Sequence, residues 1–160
     1  MIHVLFVCMG NICRSPAAEE IFRETVRRAG RESEISCDSA GTLDFHTGEP
    51  ADRRMRGAAS ERGYELTSIA RGFRREDFDK FDWIVTMDGE NYRNVIALAP
   101  DDAGRQKVRP FCDWVKLPGV QEVPDPYYGG SRGFDHVLDI LEDGSETLLN
   151  WITERHGGTD

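Results

Sequence analysis

The chain has 160 residues, 39% of them hydrophobic and 31% charged, which fits one solvated domain with a packed core spanning residues 1–160. Its formal net charge of −9 argues against nucleic acid as a partner, because a phosphate backbone needs a basic footprint, but a local basic pocket can still hold a small dianion. No run approaches the roughly 20 apolar residues that span a bilayer, and no cysteine or histidine cluster suggests zinc, so the composition predicts a cytoplasmic protein with no metal, no cofactor and no membrane partner.

In chain order, Ile2 to Val7 reads as a short buried strand. A loop follows from Cys8 to Ser15. Pro16 sits where a first helical turn tolerates proline, and Ala17 to Ala29 carries Ala18, Ile21, Phe22 and Val26 at helical spacing before Gly30 stops it. Glu34 to Asp38 is a second strand, and Ser39 to Glu49 is a loop. Pro50 to Arg62 is a helix ended by Gly63, and Arg75 to Phe78 is a short helix. Trp83 to Thr86 is a third strand. Glu90 to Leu98 is a helix that stops before Pro100, and Lys107 to Pro110 is a fourth strand. Lys116 to Gly130 is a long loop. Ser131 to His156 is the last helix, with Gly144 expected to weaken its middle. Strands that alternate with helices predict an α/β fold, a single-domain open four-stranded parallel sheet with helices on both faces. In such sheets ligands bind beyond the carboxyl ends of the strands, where the Cys8 loop lies.

That loop carries the chemistry. Cys8-Met9-Gly10-Asn11-Ile12-Cys13-Arg14-Ser15 joins a strand to a helix start. Gly10 and Asn11 tolerate positive φ, so the backbone can curl and turn its N–H groups inward into a nest for an anion. The helix adds the positive end of its dipole, and the Arg14 guanidinium can grip two phosphate oxygens. Cys8, at the mouth of the same nest, is then the candidate nucleophile. Ser15 is positioned to donate a hydrogen bond to its sulfur, and Asn11 to hold the loop shape. The plain alternative is a buried cysteine ahead of an ordinary turn, which the Cys-x5-Arg-Ser spacing disfavours.

The segment Cys8 to Pro16 closely resembles the signature loop of the low-molecular-weight protein tyrosine phosphatases. Asp38-Ser39-Ala40-Gly41-Thr42, Ala70-Arg71, Phe81 to Asp88 and Asp125-Pro126-Tyr127-Tyr128-Gly129 are similar to the same family, in the same order, over nearly the whole chain. The resemblance implies a phosphotyrosine protein phosphatase I-like fold and hydrolysis of phosphotyrosine through a cysteinyl-phosphate. It implies Asp125 as general acid and base, on a loop stiffened by Pro124 and Pro126. It places Phe45, Tyr127 and Tyr128 around the slot for a phenyl ring, and it implies a redox role for Cys13 through a reversible disulfide with Cys8. Partners follow: phosphotyrosine-containing proteins, a bacterial tyrosine kinase among them if the source is bacterial, and inorganic phosphate as product and inhibitor. The protein is then a monomer or weakly self-associating.

Several readings stay open beside these. Phe45, Met9 and Ile12 equally fit ordinary loop packing. Asp88 either orients active-site groups or caps the following helix. The family's histidine ahead of Ala-Arg is replaced in the Ser68-Ile69 stretch, which puts one supporting hydrogen bond to the loop in doubt. An arsenate reductase of the same fold needs a relay of further cysteines, and none lies between Cys37 and Cys112. A noncatalytic phosphotyrosine-binding module would lose Cys8 or Asp125. A phosphoarginine hydrolase resembles this chain too, but with threonine in place of the bulky Ile12.

Overall fold

A computed structural model describes residues 1–127 and 130–156. β1 (Ile2–Cys8) is the inner strand of a four-stranded sheet in the order β2-β1-β3-β4, with β2 (Ile35–Gly41), β3 (Trp83–Thr86) and β4 (Val108–Pro110) all parallel. Val4 to Val7 are fully buried, as expected of a parallel strand covered on both faces. Alternation then divides the core. Val4, Phe6 and Cys8 face α1 (Arg14–Arg28), α2 (Arg53–Glu61) and α6 (Ser131–His156), whereas Leu5 and Val7 face α3 (Asp77–Lys80) and α4 (Gly89–Ala97). The chain runs from β1 to β2 on one side and returns to β3 on the other. The crevice at the carboxyl end of β1 is therefore the topological switch point.

The helix ends follow local chemistry. Gly30 (φ 70°) and Gly63 (φ 89°) take the left-handed conformation. Behind each, the pair of backbone bonds that defines a Schellman stop closes α1 and α2: Arg31 N–H to Val26 O (3.0 Å) with Gly30 N–H to Arg27 O (2.9 Å), and Tyr64 N–H to Ala59 O with Gly63 N–H to Ser60 O (both 3.0 Å).

Five expectations need correction. α1 begins at Arg14 rather than Ala17, so the loop runs directly into helix. α2 begins at Arg53, because the Asp52 carboxylate accepts from the Arg54 and Met55 amides and caps it there. β2 continues to Gly41, carried by its register with β1 as far as Cys8 opposite Gly41. α3 spans Asp77–Lys80 rather than Arg75 to Phe78, and a short helix α5 (Asp102–Gln106), capped by Asp101, and a 3-10 turn at Phe111–Trp114 occupy stretches to which the sequence assigns no element.

Gly144 does not interrupt α6. A Cβ there would stand 2.6 Å from Cε1 and 2.7 Å from Cζ of Phe111, so the glycine lets that buried ring pack against the helix. No described helix is long and apolar enough to cross a membrane, and no group of three or more candidate ligands among the described residues could hold a metal.

Candidate active site

The loop after β1 is pinned from outside. The carbonyls of Cys8, Met9 and Ile12 accept from the amides of Thr42 (2.9 Å), Leu43 (2.9 Å) and Asp52 (2.7 Å). Gly41 permits this close approach, since a Cβ there would lie 2.8 Å from Met9 O and 3.0 Å from Asn11 N. With these carbonyls turned outward, the amides of Gly10 to Ser15 donate to no backbone carbonyl among the described residues. Such a row of unused N–H groups at a helix start is an anion nest.

Asn11 locks the curl. Its backbone sits at φ 58°, and its amide makes three bonds: Nδ2–H to Ser15 Oγ (2.8 Å), Nδ2–H to Ser39 Oγ (3.0 Å), and Oδ1 accepting from the Arg71 amide (3.0 Å). The missing family histidine therefore leaves no donor or acceptor of this side chain idle. Cys8, 2% exposed, has its sulfur 3.0 Å from Ser15 Oγ.

Arg14 is 2% exposed and held by three residues from two segments distant in sequence. Nη1 donates to Asp88 Oδ2 (2.6 Å) and Val123 O (3.0 Å), and Nη2 lies 3.5 Å from Asp125 Oδ2. Burial alone would pull the guanidinium down, but the Cys8 sulfur, Asp88 and Asp125 hold it above its ordinary value. Asp88 fulfils both alternatives raised for it: Oδ2 receives Arg14, and Oδ1 receives the Asn91 amide (2.9 Å) to cap α4. Asp125 Oδ1 accepts from the Tyr127 amide (3.0 Å), and the loop carrying it is tied to the end of β3 by Val123 N–H to Met87 O (2.8 Å).

A cavity of about 160 Å³ opens over this loop. Cys8, Met9, Ile12, Cys13, Arg14 and Asp125 line its floor and sides, with Phe45 and Tyr127 at the walls. Phe45 is 78% exposed. Burial, then Asp52 and Cys8, push the Cys13 thiol far up, so it stays protonated. Tyr128 lies outside the described residues. Three cavity features were missed in the sequence. Leu43 and His46 line the mouth, the His46 ring lying 6.4 Å from that of Tyr127. Arg54 donates to Tyr127 O (3.0 Å) and lies over the Tyr127 ring, which braces that wall. Only the Asp52-Arg54 pairing at the helix start hints at this from sequence. A larger groove of about 540 Å³, at Tyr92, Asp102 and Arg109, contains no cysteine. Size alone does not mark the site.

A parallel α/β sheet with a Cys-x5-Arg nest at its switch point defines the cysteine-loop phosphatases as a class. The comparisons narrow this. The family model described as low molecular weight phosphotyrosine protein phosphatase matches residues 3–156. A low molecular weight protein-tyrosine-phosphatase of Streptomyces coelicolor is 41% identical over 157 residues, covering 97% of this chain and 96% of its own. The Bacillus subtilis protein of the same description, YfkJ, is 38% identical, covering 93% and 94%. A crystal structure of a protein tyrosine phosphatase from Entamoeba histolytica superposes with TM-score 0.92 at 43% identity, covering 98% of this chain and 99% of that one. The chain belongs to the low molecular weight protein-tyrosine-phosphatase family.

Proposed function

We propose that this phosphatase hydrolyses phosphotyrosine in proteins, and small aryl phosphates, through a cysteinyl-phosphate, within one catalytic domain covering residues 1–160. In the first step the Cys8 thiolate attacks phosphorus. The P–O bond to the phenol breaks, and Asp125 supplies the proton that the leaving oxygen needs. In the second step Asp125, now a carboxylate, takes a proton from water as that water attacks phosphorus. The P–S bond breaks, releasing inorganic phosphate and restoring the Cys8 thiolate. The loop amides from Met9 to Ser15 and the Arg14 guanidinium hold the three phosphoryl oxygens while charge redistributes.

One observation carries this reading: the Cys8 sulfur meets the Ser15 hydroxyl at 3.0 Å inside the same curled loop that fixes a buried Arg14 within reach of Asp125. The aromatic walls Phe45 and Tyr127, with Tyr128 next to Tyr127 in sequence, suit a flat phenyl ring, and the bulk of Ile12 favours phosphotyrosine over phosphoarginine. Cys13 lines the same cavity as Cys8, which supports a redox disulfide between them. All four cysteines are free thiols, in keeping with a cytoplasmic setting. A tyrosine kinase is a fitting protein partner, inorganic phosphate a product inhibitor, and the working form a monomer or weak self-associate.

Two variants test the mechanism. Cys8→Ser is expected to abolish turnover while still binding phosphate. Asp125→Ala is expected to slow phenyl phosphate by ~100-fold or more, and activated p-nitrophenyl phosphate far less. Equal slowing of both esters removes Asp125 from the acid role.

A further inference from the structure

A buried carboxylate that the proposed mechanism does not use lies behind the phosphate loop. Glu19, on the first turns of α1, is 5% exposed. Its Oε1 accepts from Ser39 Oγ (2.6 Å), and its Oε2 accepts from Arg23 Nη2 (2.6 Å). Arg23 is 45% exposed, donates also to Glu20, and so forms the solvent end of the cluster.

Counting protons gives this chain of contacts a direction. The Arg71 backbone amide can only donate, so Asn11 must present Oδ1 to it. Asn11 then offers its two Nδ2 protons to Ser15 Oγ and Ser39 Oγ. Each serine hydroxyl thus receives one proton and has one to give. Ser39 gives its proton to Glu19. Ser15 has two acceptors in reach, the Cys8 sulfur at 3.0 Å and Ala40 O at 3.3 Å. A charged carboxylate can only accept. Once protonated, it can donate to Ser39, and its proton then competes with the Asn11 Nδ2–H for the Ser39 lone pairs. The amide that orients Ser15 loses its fixed partner.

We propose that Glu19 is a positioning residue: its ionised carboxylate takes the Ser39 proton and so holds Ser39 as an acceptor for the Asn11 amide, which steadies the amide that donates to Ser15 and leaves the Ser15 proton for the Cys8 sulfur. The role is remote, since Glu19 touches neither the cavity nor Cys8, and its kinetic readout rests on the phosphatase reading above. The charged and titratable groups facing Glu19 are Glu20 and Arg23 on α1 and Cys37 and Asp38 on β2. Burial pushes the Glu19 carboxyl up, while Ser39 and Arg23 pull it back only in part. Arg23 is therefore the group that keeps the chain polarised as pH falls.

Glu19→Gln keeps the shape and removes the charge. Its amide can meet Ser39 with either end, so Ser39 is no longer held as an acceptor for Asn11. The expected result is a roughly tenfold fall in kcat/KM for p-nitrophenyl phosphate, the scale of one hydrogen bond to a charged acceptor. Alkylation by iodoacetate at pH 6, read on the Cys8 peptide by mass spectrometry, falls with it, and the thermal midpoint stays at or above wild type. Arg23→Gln is expected to move the acid limb of kcat/KM to higher pH and leave the plateau in place. A folded Glu19→Gln protein with wild-type kcat/KM and alkylation overturns the proposal. So does lost activity with a lowered midpoint and unchanged alkylation, the pattern of a mere prop. If Glu19→Gln does not fold, an unmoved acid limb in Arg23→Gln decides against it. Wild-type protein without phosphatase activity would instead sink the earlier reading, and the alkylation arm would still report on the hydrogen-bond direction.

Discussion

Replacing Asn11 separates the two reasons the phosphate loop holds its curl. The side chain makes three hydrogen bonds, and the backbone sits at φ 58°. In Asn11→Gly the backbone remains comfortable and all three bonds vanish. Ser39 keeps Glu19, and Ser15 keeps Cys8 and Ala40. Their losses are ordinary, about 0.5–1 kcal/mol each. The Arg71 amide loses its acceptor in a half-buried position, which costs about 1–3 kcal/mol. The expected sum is a destabilisation of about 2–5 kcal/mol, against a total stability of roughly 5–15 kcal/mol. Asn11→Ala loses the same bonds and also forces a Cβ-bearing residue with no local hydrogen bond into the left-handed region, about 1 kcal/mol more. Urea denaturation at neutral pH, followed through the fluorescence of Trp83, Trp114 and Trp151, measures both. Asn11→Gly at wild-type stability would show that the amide bonds contribute nothing net. Equal stability of the alanine and glycine variants would dispose of the backbone argument.

Two further stability predictions follow from side-chain geometry. Gly57→Ala in α2 meets nothing within 4 Å and is expected to stabilise by about 1 kcal/mol, whereas Gly144→Ala in α6 drives a methyl into the buried Phe111 ring and is expected to destabilise by about 1–2 kcal/mol net of the same helix gain. Thermal midpoints that move in the same direction would refute the packing account of Gly144. Asp52→Ala removes the α2 cap and is expected to cost about 1 kcal/mol at neutral pH. Burial pushes the Asp52 carboxyl up, but the Arg54 guanidinium and the Arg54 and Met55 amides outweigh this and hold it below its ordinary 3.8. The contribution is therefore complete above that value and is lost as pH falls through the lower folded value, so the gap between wild type and variant closes in acid. A gap that is constant from neutral pH to about pH 2 would refute the assignment.

The parts legible in the sequence are those whose signal is contiguous. β1 is one apolar run, α6 carries its apolar residues at helical spacing for 26 residues, and the nest is a single stretch from Cys8 to Ser15. What was missed depends on partners far along the chain. Ser39 to Gly41 are small residues with no strand pattern of their own, and pairing with β1 makes them strand. α5 is only five residues long, fixed by the Asp101 cap rather than by periodicity. Gly144 reads as a weak point until Phe111 is seen beside it. Glu19 reads as one half of an (i, i+4) pair with Arg23, an unremarkable surface feature, because nothing local reveals that Ser39 reaches it from β2.

Arg14 shows how such distant contacts make the site. Asp88, Val123 and Asp125 lie 74, 109 and 111 residues away, and all reach the same guanidinium because β3 pairs with β1 and the later loop is tied to the end of β3. The grip is uneven. Nη1 is committed twice, at 2.6 Å and 3.0 Å, whereas Nη2 holds Asp125 only at 3.5 Å. Under the proposed mechanism that asymmetry is useful. A phosphate dianion entering the nest competes for Nη2 without dislodging Nη1, so the arginine need not reorganise to bind it. The same competition loosens Asp125 from Arg14, and its carboxyl is then free to turn toward the leaving oxygen. Substrate binding and release of the Asp125 side chain are then one event, set by which nitrogen of Arg14 was left weakly held.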